Sequence, residues 1–324
     1  MNHVFMRLMV AITFVAGIVA ISGCGNRDSS RASAVSINGS STVAPITIAV
    51  AEEFLKDNPD VQVSVGTSGT GAGFKKFGSG EIDICDASRV IKETERAICE
   101  KAGIEFVTLE VAYDGLAIVA HPEADWFDCL TLEQLKDIWK PESSVKKWSD
   151  INPAWPAEEI KLYGPGTDSG TFDYFTEVIV GQEKASRADY TASEDDNVLV
   201  RGVTADKYAL GYFGYAYYAE NRDSLKLIGV DSGKGCVQPS TETVRNGSYE
   251  PLSRPLLLYI KTASLKQPPT AAFIQFYLKH AAQLVEEVGY VPVSEEQHQK
   301  NVELVEQVIA GTTTEPTPGS TTDD

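Results

Sequence analysis

Residues 161–180 read KLYGPGTDSGTFDYFTEVIV. Lys161 to Tyr163 has the character of a short strand. Thr171 to Val180, with Phe172, Phe175 and Ile179 at helical spacing, predicts a helix. Between them stand Gly164, Pro165, Gly166, Thr167, Asp168, Ser169, Gly170 and Thr171. A helix N-terminus presents free N–H groups and a partial positive charge. Ser and Thr add hydroxyl donors, and Gly lets the backbone come close. A strand that runs through such a loop into a helix is the building unit of α/β layers and a seat for an anion. Taken alone, the cluster reads as well as an N-cap or a turn.

The same arrangement recurs upstream. Gly39-Ser40-Ser41-Thr42 precedes Ala44-Pro45 and a helix carrying Ile46, Ala49, Val50 and Phe54, which Asn58-Pro59 stops. Val61 to Val65 then alternates as a strand with one exposed face, and Gly66-Thr67-Ser68-Gly69-Thr70-Gly71 leads into Phe74-Lys75-Lys76-Phe77. A fourth element, Asp83 to Cys85, ends a strand with Ser88-Arg89 just beyond it. Ligands of open α/β sheets bind outside the carboxyl ends of strands, and a guanidinium can fork two bonds onto tetrahedral oxygens. Further strands are predicted at Phe106 to Val111, Leu116 to Ala120, Leu225 to Val230 and Leu256 to Ile260. Helices are predicted at Thr131 to Trp139, Thr270 to Val288 and Ser294 to Ile309. Strands alternating with helices indicate an α/β protein with mostly parallel sheets.

The chain has 324 residues, enough for two domains, and sets 28 Lys and Arg against 46 Asp and Glu, a formal charge of −18. That balance excludes nucleic-acid binding through basic patches. It does not exclude a small anion. Local donors act at about 3 Å, whereas distant surface charge is screened beyond roughly 8–10 Å. Four scattered His residues and the absence of HExxH argue against a metal centre, so none is expected. GxxxxGK[ST], a dinucleotide GxGxxG before a helix and a GxSxG elbow are all missing, so no cofactor is expected and catalysis is not.

At the N-terminus, Leu8 to Ile21 is an apolar run of about 14 residues, shorter than the roughly 20 that span a bilayer. It ends at Ile21-Ser22-Gly23-Cys24, which resembles a bacterial lipobox. Residues 1–23 are therefore expected to be a lipoprotein signal peptide and Cys24 the lipid anchor. Residues 24–34 are expected to form a tether, and residues 311–324 a disordered tail. Four Cys remain: Cys85, Cys99, Cys129 and Cys236, which allow two disulfides in three connectivities, or leave some as buried free thiols.

Gly39 to Pro45, the glycine-rich second loop, Asp86-Ala87-Ser88-Arg89 and Gly166 to Phe172 together resemble the phosphate-binding lipoproteins of bacterial high-affinity phosphate ABC importers. Ala209 to Phe213 and Pro251 to Leu256 resemble later segments of that family. The resemblance implies a two-domain periplasmic-binding-protein fold with two crossovers and the ligand in the interdomain cleft. It implies inorganic phosphate as ligand, ABC permease transmembrane subunits as partner, and a monomer held at the outer side of the membrane by its lipid. The implied contacts are Ser41 and Thr42; Ser68, Thr70 and Gly71; and Ser169, Gly170 and Thr171.

Two departures stand out. Members of the family carry Asp after Ala-Ser where this chain has Arg89, and Arg four residues before the Ser of the third loop where it has Pro165. A swap follows as the expectation: Ser88 and Arg89 join the site, Arg89 is the one cationic ligand, and Asp168 either accepts the phosphate proton or pairs with Arg89 and holds its fork in place. An acceptor of that kind favours phosphate, which keeps a proton at neutral pH, over sulfate, which does not. The long middle insertion before Leu256 predicts domain I from 35–111 and 256–310 and domain II from 112–255. Cys85–Cys99 and Cys129–Cys236 are then the expected disulfides, because each lies within one domain and leaves the hinge free.

Overall fold

In a computed structural model of the chain, residues 34–167 and 169–312 are described. The expected signal peptide, Cys24, Asp168 and residues 313–324 lie outside them. The strands are β1 (Ala34–Gly39), β2 (Gln62–Thr67), β3 (Ile84–Ala87), β4 (Phe106–Ala120), β5 (Cys129–Thr131), β6 (Lys161–Pro165), β7 (Thr191–Ser193), β8 (Ala209–Gly214), β9 (Lys226–Asp231), β10 (Cys236–Val237), β11 (Ser253–Lys261) and β12 (Val291–Pro292).

The spine is β4. Sequence reading divides it into two strands around Ala112–Gly115, but it is one strand of 15 residues. Its first part, Phe106 to Gly115, pairs antiparallel with β11. Its last part, Leu116 to Ala120, pairs antiparallel with β8. The first sheet runs β2-β1-β3-β11-β4 and the second β4-β8-β6-β7, so the same strand closes one and opens the other. Each sheet has its own core. Phe54, Phe273 and Tyr277 bury against Ile37, Leu109 and Leu258 on the first. Trp139, Trp148, Phe175 and Tyr212 bury against Ile118 and Leu210 on the second. The chain leaves the second core at Leu252 and enters the first at Leu256. It touches the second again at Val291, a residue the sequence reading gives to domain I.

Three expectations are corrected. The sheets are mixed and not mostly parallel: β1, β2 and β3 are parallel, as are β6, β7 and β8, but β11 is antiparallel to both β3 and β4. The reason is topological. Parallel neighbours need a crossover back to the same end of the sheet. β11 instead arrives from the second core, at the end where β4 departs. Ala34, expected to end the tether, is already in β1, where it pairs with Gln62. The helix Glu295–Ile309 also holds the first two residues of the expected tail, through Gly311 N–H to Val308 O at 3.1 Å and Thr312 N–H to Gln307 O at 3.0 Å.

Cys129 on β5 and Cys236 on β10 are joined, both strands flanking β9. Cys85 and Cys99 are buried free thiols, against the expected bridge between them. They serve opposite ends of the helix Thr70–Gly78. Cys85 Sγ lies 2.9 Å from where a Cβ on Gly73 would stand, and Cys99 Sγ 3.7 Å from one on Gly78. Those glycines are roughly 7.5 Å apart along the helix axis at 1.5 Å per residue. Burial pushes both thiols above their ordinary range, which keeps them protonated and unreactive. We expect the protein without residues 1–24, unfolded in the absence of reductant, to release two thiols to a colorimetric reagent and none while folded. Four thiols would dissolve the Cys129–Cys236 bridge, and none on unfolding would restore Cys85–Cys99.

Candidate functional site

The first loop leaves β1 and enters the helix Ala44–Asp57. Gly39 lies against β3 so closely that a Cβ there would fall 2.0 Å from the Asp86 carbonyl oxygen, and its φ of +149° suits glycine. Ser40 donates its N–H to that carbonyl at 2.9 Å, and its Oγ accepts the N–H of Thr42 at 3.2 Å. The following helix has no acidic residue in its first turn and no side-chain cap, so its N-terminal charge stays uncompensated. The second loop lies beside the first, with Ser68 and Gly69 both donating N–H to Gly39 O at 3.1 and 2.9 Å. Gly69, at φ +83°, opens the helix Thr70–Gly78, again uncapped. Thr70 Oγ1 meets Ser88 Oγ at 3.2 Å and accepts the Ser88 N–H at 3.2 Å, tying the second loop to the end of β3.

The third loop comes from the other sheet. Ser169 caps the helix Gly170–Phe175, its Oγ accepting the Thr171 N–H at 3.2 Å. A Cβ on Gly170 would stand 2.9 Å from Thr42 Oγ1 and 3.7 Å from Ser41 Oγ. The first and third loops therefore touch, and only glycine permits that approach. Of the implied contacts, Ser41, Thr42, Ser169, Gly170 and Thr171 converge here. Ser68, Thr70, Gly71 and Ser88 gather on the neighbouring loop, and Asp168 lies outside the described residues.

Arg89 is not the sole cation, and its fork is occupied. Its two terminal nitrogens each bond one oxygen of Glu95 at 2.9 Å, and Nη1 also bonds the Val90 carbonyl at 3.1 Å. Burial pushes the Glu95 carboxyl up, but Arg89 and the Lys92 N–H outweigh it and hold the carboxyl below the ordinary range. Arg89 stands beside the second loop, its Nη2 3.7 Å from where a Cβ on Gly71 would be.

The cation that reaches the touching loops is Arg254, at the start of β11. Its Nη2 donates to Thr42 Oγ1 at 2.9 Å and approaches Gly170 O at 3.5 Å. Its Nε and Nη2 both bond Asp114 Oδ2, at 3.1 and 3.0 Å, and the guanidinium carbon lies 3.7 Å from the centre of the Tyr174 ring. The side chains of Arg254 and Asp114 are 12% and 2% exposed, so this is a desolvated ion pair. Burial pushes the Asp114 carboxyl up, and Arg254 opposes that shift. Arg254 lies in a segment that resembles the family but ahead of the strand predicted from Leu256, and Asp114 falls in the gap between two predicted strands. A charged residue inside an apolar strand was the available signal, since a buried charge requires a partner.

Residues 26–280 match the profile of the PBP superfamily domain. The chain is 40% identical over 296 residues to the phosphate-binding protein PstS of Staphylococcus saprophyticus, covering 90% of each. The chain belongs to the PBP superfamily, and to the PstS and SphX family within it. It is 47% identical over 282 residues to the SphX protein of Synechocystis, covering 86% of this chain and 83% of that one. Among solved structures, a possible phosphate binding protein from Planctomyces limnophilus is 47% identical with a TM-score of 0.82, covering 85% of this chain and 98% of that one. The two-domain α/β fold expected from the sequence is the fold of this family.

The Arg254–Asp114 pair makes an energetic prediction. Arg254→Ala leaves a buried carboxylate without its partner and should cost about 3–5 kcal/mol in urea unfolding. Replacing both, as Asp114→Asn with Arg254→Met, should recover most of that loss. A single Arg254→Ala variant as stable as wild type would show that Asp114 is not held by this pair.

Proposed function

We propose that this protein binds inorganic phosphate in the cleft between its two sheets and delivers it to the membrane subunits of an ABC importer. The observation that carries the reading is the meeting of Thr42 and Gly170 beneath Arg254: two helix N-termini from different sheets, sealed by one desolvated guanidinium. That is an anion site built into an acidic chain, and PstS relatives named as phosphate-binding proteins support phosphate as the anion. Arg254 Nη1, which has no hydrogen-bond partner among the described residues, is the donor left for a phosphate oxygen, with the N–H groups at the three helix starts supplying the rest.

The residue roles follow. Ser41, Thr42, Ser169, Gly170 and Thr171 surround the anion with Arg254. Ser68, Thr70, Gly71, Ser88 and Arg89 close it from the second loop. Glu95 orients Arg89 and Asp114 orients Arg254, so neither task is left for Asp168. Asp168 therefore keeps the role of proton acceptor. The units 35–111 with 256–310, and 112–255, close on the ligand about β4 and β11. The protein acts as a monomeric receptor without cofactor, anchored outside the membrane through lipid on Cys24. An exported phosphoryl-transfer enzyme is the weaker reading: among the described residues no site hydroxyl is bonded to a His that could activate it.

Calorimetric titration with phosphate, sulfate, arsenate and molybdate tests this. Phosphate should bind one-to-one and more tightly than sulfate. Arg254→Lys keeps the charge but loses the fork and should weaken phosphate at least tenfold, about 1.4 kcal/mol. Asp168→Asn should narrow the preference for phosphate over sulfate. Tighter binding of sulfate than phosphate by the wild type would overturn the assignment, and turnover of p-nitrophenyl phosphate would replace it with the enzyme reading.

A further inference from the structure

Beneath the first loop lies a carboxyl group that none of these roles uses. Asp86, Thr47 and Tyr277 are each fully buried. No hydrogen bond of good geometry reaches either carboxyl oxygen of Asp86 or the Tyr277 phenol among the described residues, and the one polar group near enough to bond either is the uncharged Thr47 hydroxyl. Alternation along β3 puts Ile84 in the first core and Cys85 and Ala87 in the cluster on the other face, so Asp86 points into the first core with Ile84. The helix Ala44–Asp57 presents Thr47 to it and the helix Pro268–Glu287 presents Tyr277. The neighbouring strands set Gly39 and Leu258 opposite it. None of these carries a charge at neutral pH. Cys85, the adjacent titratable group, is on the opposite face and is itself held protonated by burial.

Asp86 is also wired to the anion site. Its carbonyl accepts the Ser40 N–H at 2.9 Å, Ser40 Oγ accepts the Thr42 N–H at 3.2 Å, and Thr42 Oγ1 accepts from Arg254 at 2.9 Å. We propose that Asp86 is a proton switch under the first loop: neutral, it leaves the anion seat intact, and ionised, its unpaired charge opposes the anion above it. This rests on the phosphate reading given above. Burial without a counter-charge, opposed only by the Thr47 hydroxyl, pushes the carboxyl up to about 7, so both forms exist in the neutral range.

Linkage fixes the signs. The folded carboxyl holds its proton to a higher pH than the unfolded one, whose pKa is about 3.9. Stability from this group is therefore lost as pH rises from about 4 to about 7. A phosphate bound above Asp86 favours the neutral form, so binding near neutral pH draws a proton onto the protein, and raising the pH weakens binding by the same coupling. Phosphate titrates in the same window, so the difference between wild type and Asp86→Asn carries the information. Asn has nearly the same shape and no charge.

The test is calorimetric titration of both proteins with phosphate at pH 6 and pH 8.5, in two buffers of different ionisation enthalpy. We expect the ratio of Kd for wild type to Kd for Asp86→Asn to rise at least threefold between these pH values. The protons taken up on binding near pH 7 should be fewer in the variant. A flat ratio with equal proton counts overturns the switch. If neither protein binds phosphate, the functional reading fails, and the ligand-free melts still judge Asp86. Wild type should lose stability between pH 4.5 and 7.5 relative to Asp86→Asn, and parallel melting profiles would refute a raised carboxyl. Should Asp86→Asn fail to fold, infrared difference spectra of wild type against Asp86→Ala decide: a protonated-carboxyl band that is absent from the variant and fades through neutral pH upholds the proposal, and no such difference at pH 6 ends it.

Discussion

The guanidinium of Arg254 is the point on which the site is organised. It sits at the first residues of β11, opposite Asp114 in the register with β4, where one sheet gives way to the other. A charge this buried has to be paid for by neighbours, and here they come from every side: Asp114 from β4, Thr42 from the first loop, Gly170 and the Tyr174 ring from the third. The same contacts that make Arg254 tolerable draw the first and third loops together. In a chain of formal charge −18 the hydrogen-bond donors are thereby gathered locally, while each guanidinium keeps its own carboxylate.

The three helix starts complement that charge because their caps are spent sparingly. The first two helices open without side-chain caps or early acids, which leaves their N–H groups and dipoles directed into the cleft. Only the third uses a hydroxyl, Ser169, on its own backbone. Asp86 belongs to the same logic from beneath. It is fully buried and faces Thr47 and Tyr277, both uncharged, so its neutral form spares the site a negative charge.

Much of this was legible in the sequence. The glycine and hydroxyl clusters marked the loops because each stands between an apolar strand and a helix of clear period. Ser294 and Thr131 marked helix starts correctly, each capping the helix that follows it. The aromatic run from Tyr212 to Tyr218 reads as a strand and a helix packed beside the cleft, but the strand's bounds, Ala209–Gly214, are not legible because it is buried on both faces and shows no alternation: Tyr212 stacks on Phe175 at 3.7 Å between ring centres. The antiparallel entry of β11 was illegible because local pattern carries no direction. Arg89 drew attention as a cation beyond a strand end, but Glu95, six residues later, takes its fork. Arg254 and Asp114 are 140 residues apart, a pairing that only the topology discloses.

We propose that the anion is held where the first and third loops meet under Arg254. The most direct measurement is a crystal structure with arsenate, using arsenic anomalous scattering to place the ion independently of the phases. We predict a single anomalous peak with its oxygens within hydrogen-bond reach of Thr42, of the Gly170–Thr171 backbone and of Arg254 Nη1. A fully occupied peak bound by Arg89 and Ser88 alone, away from Arg254, would move the anion site to the second loop.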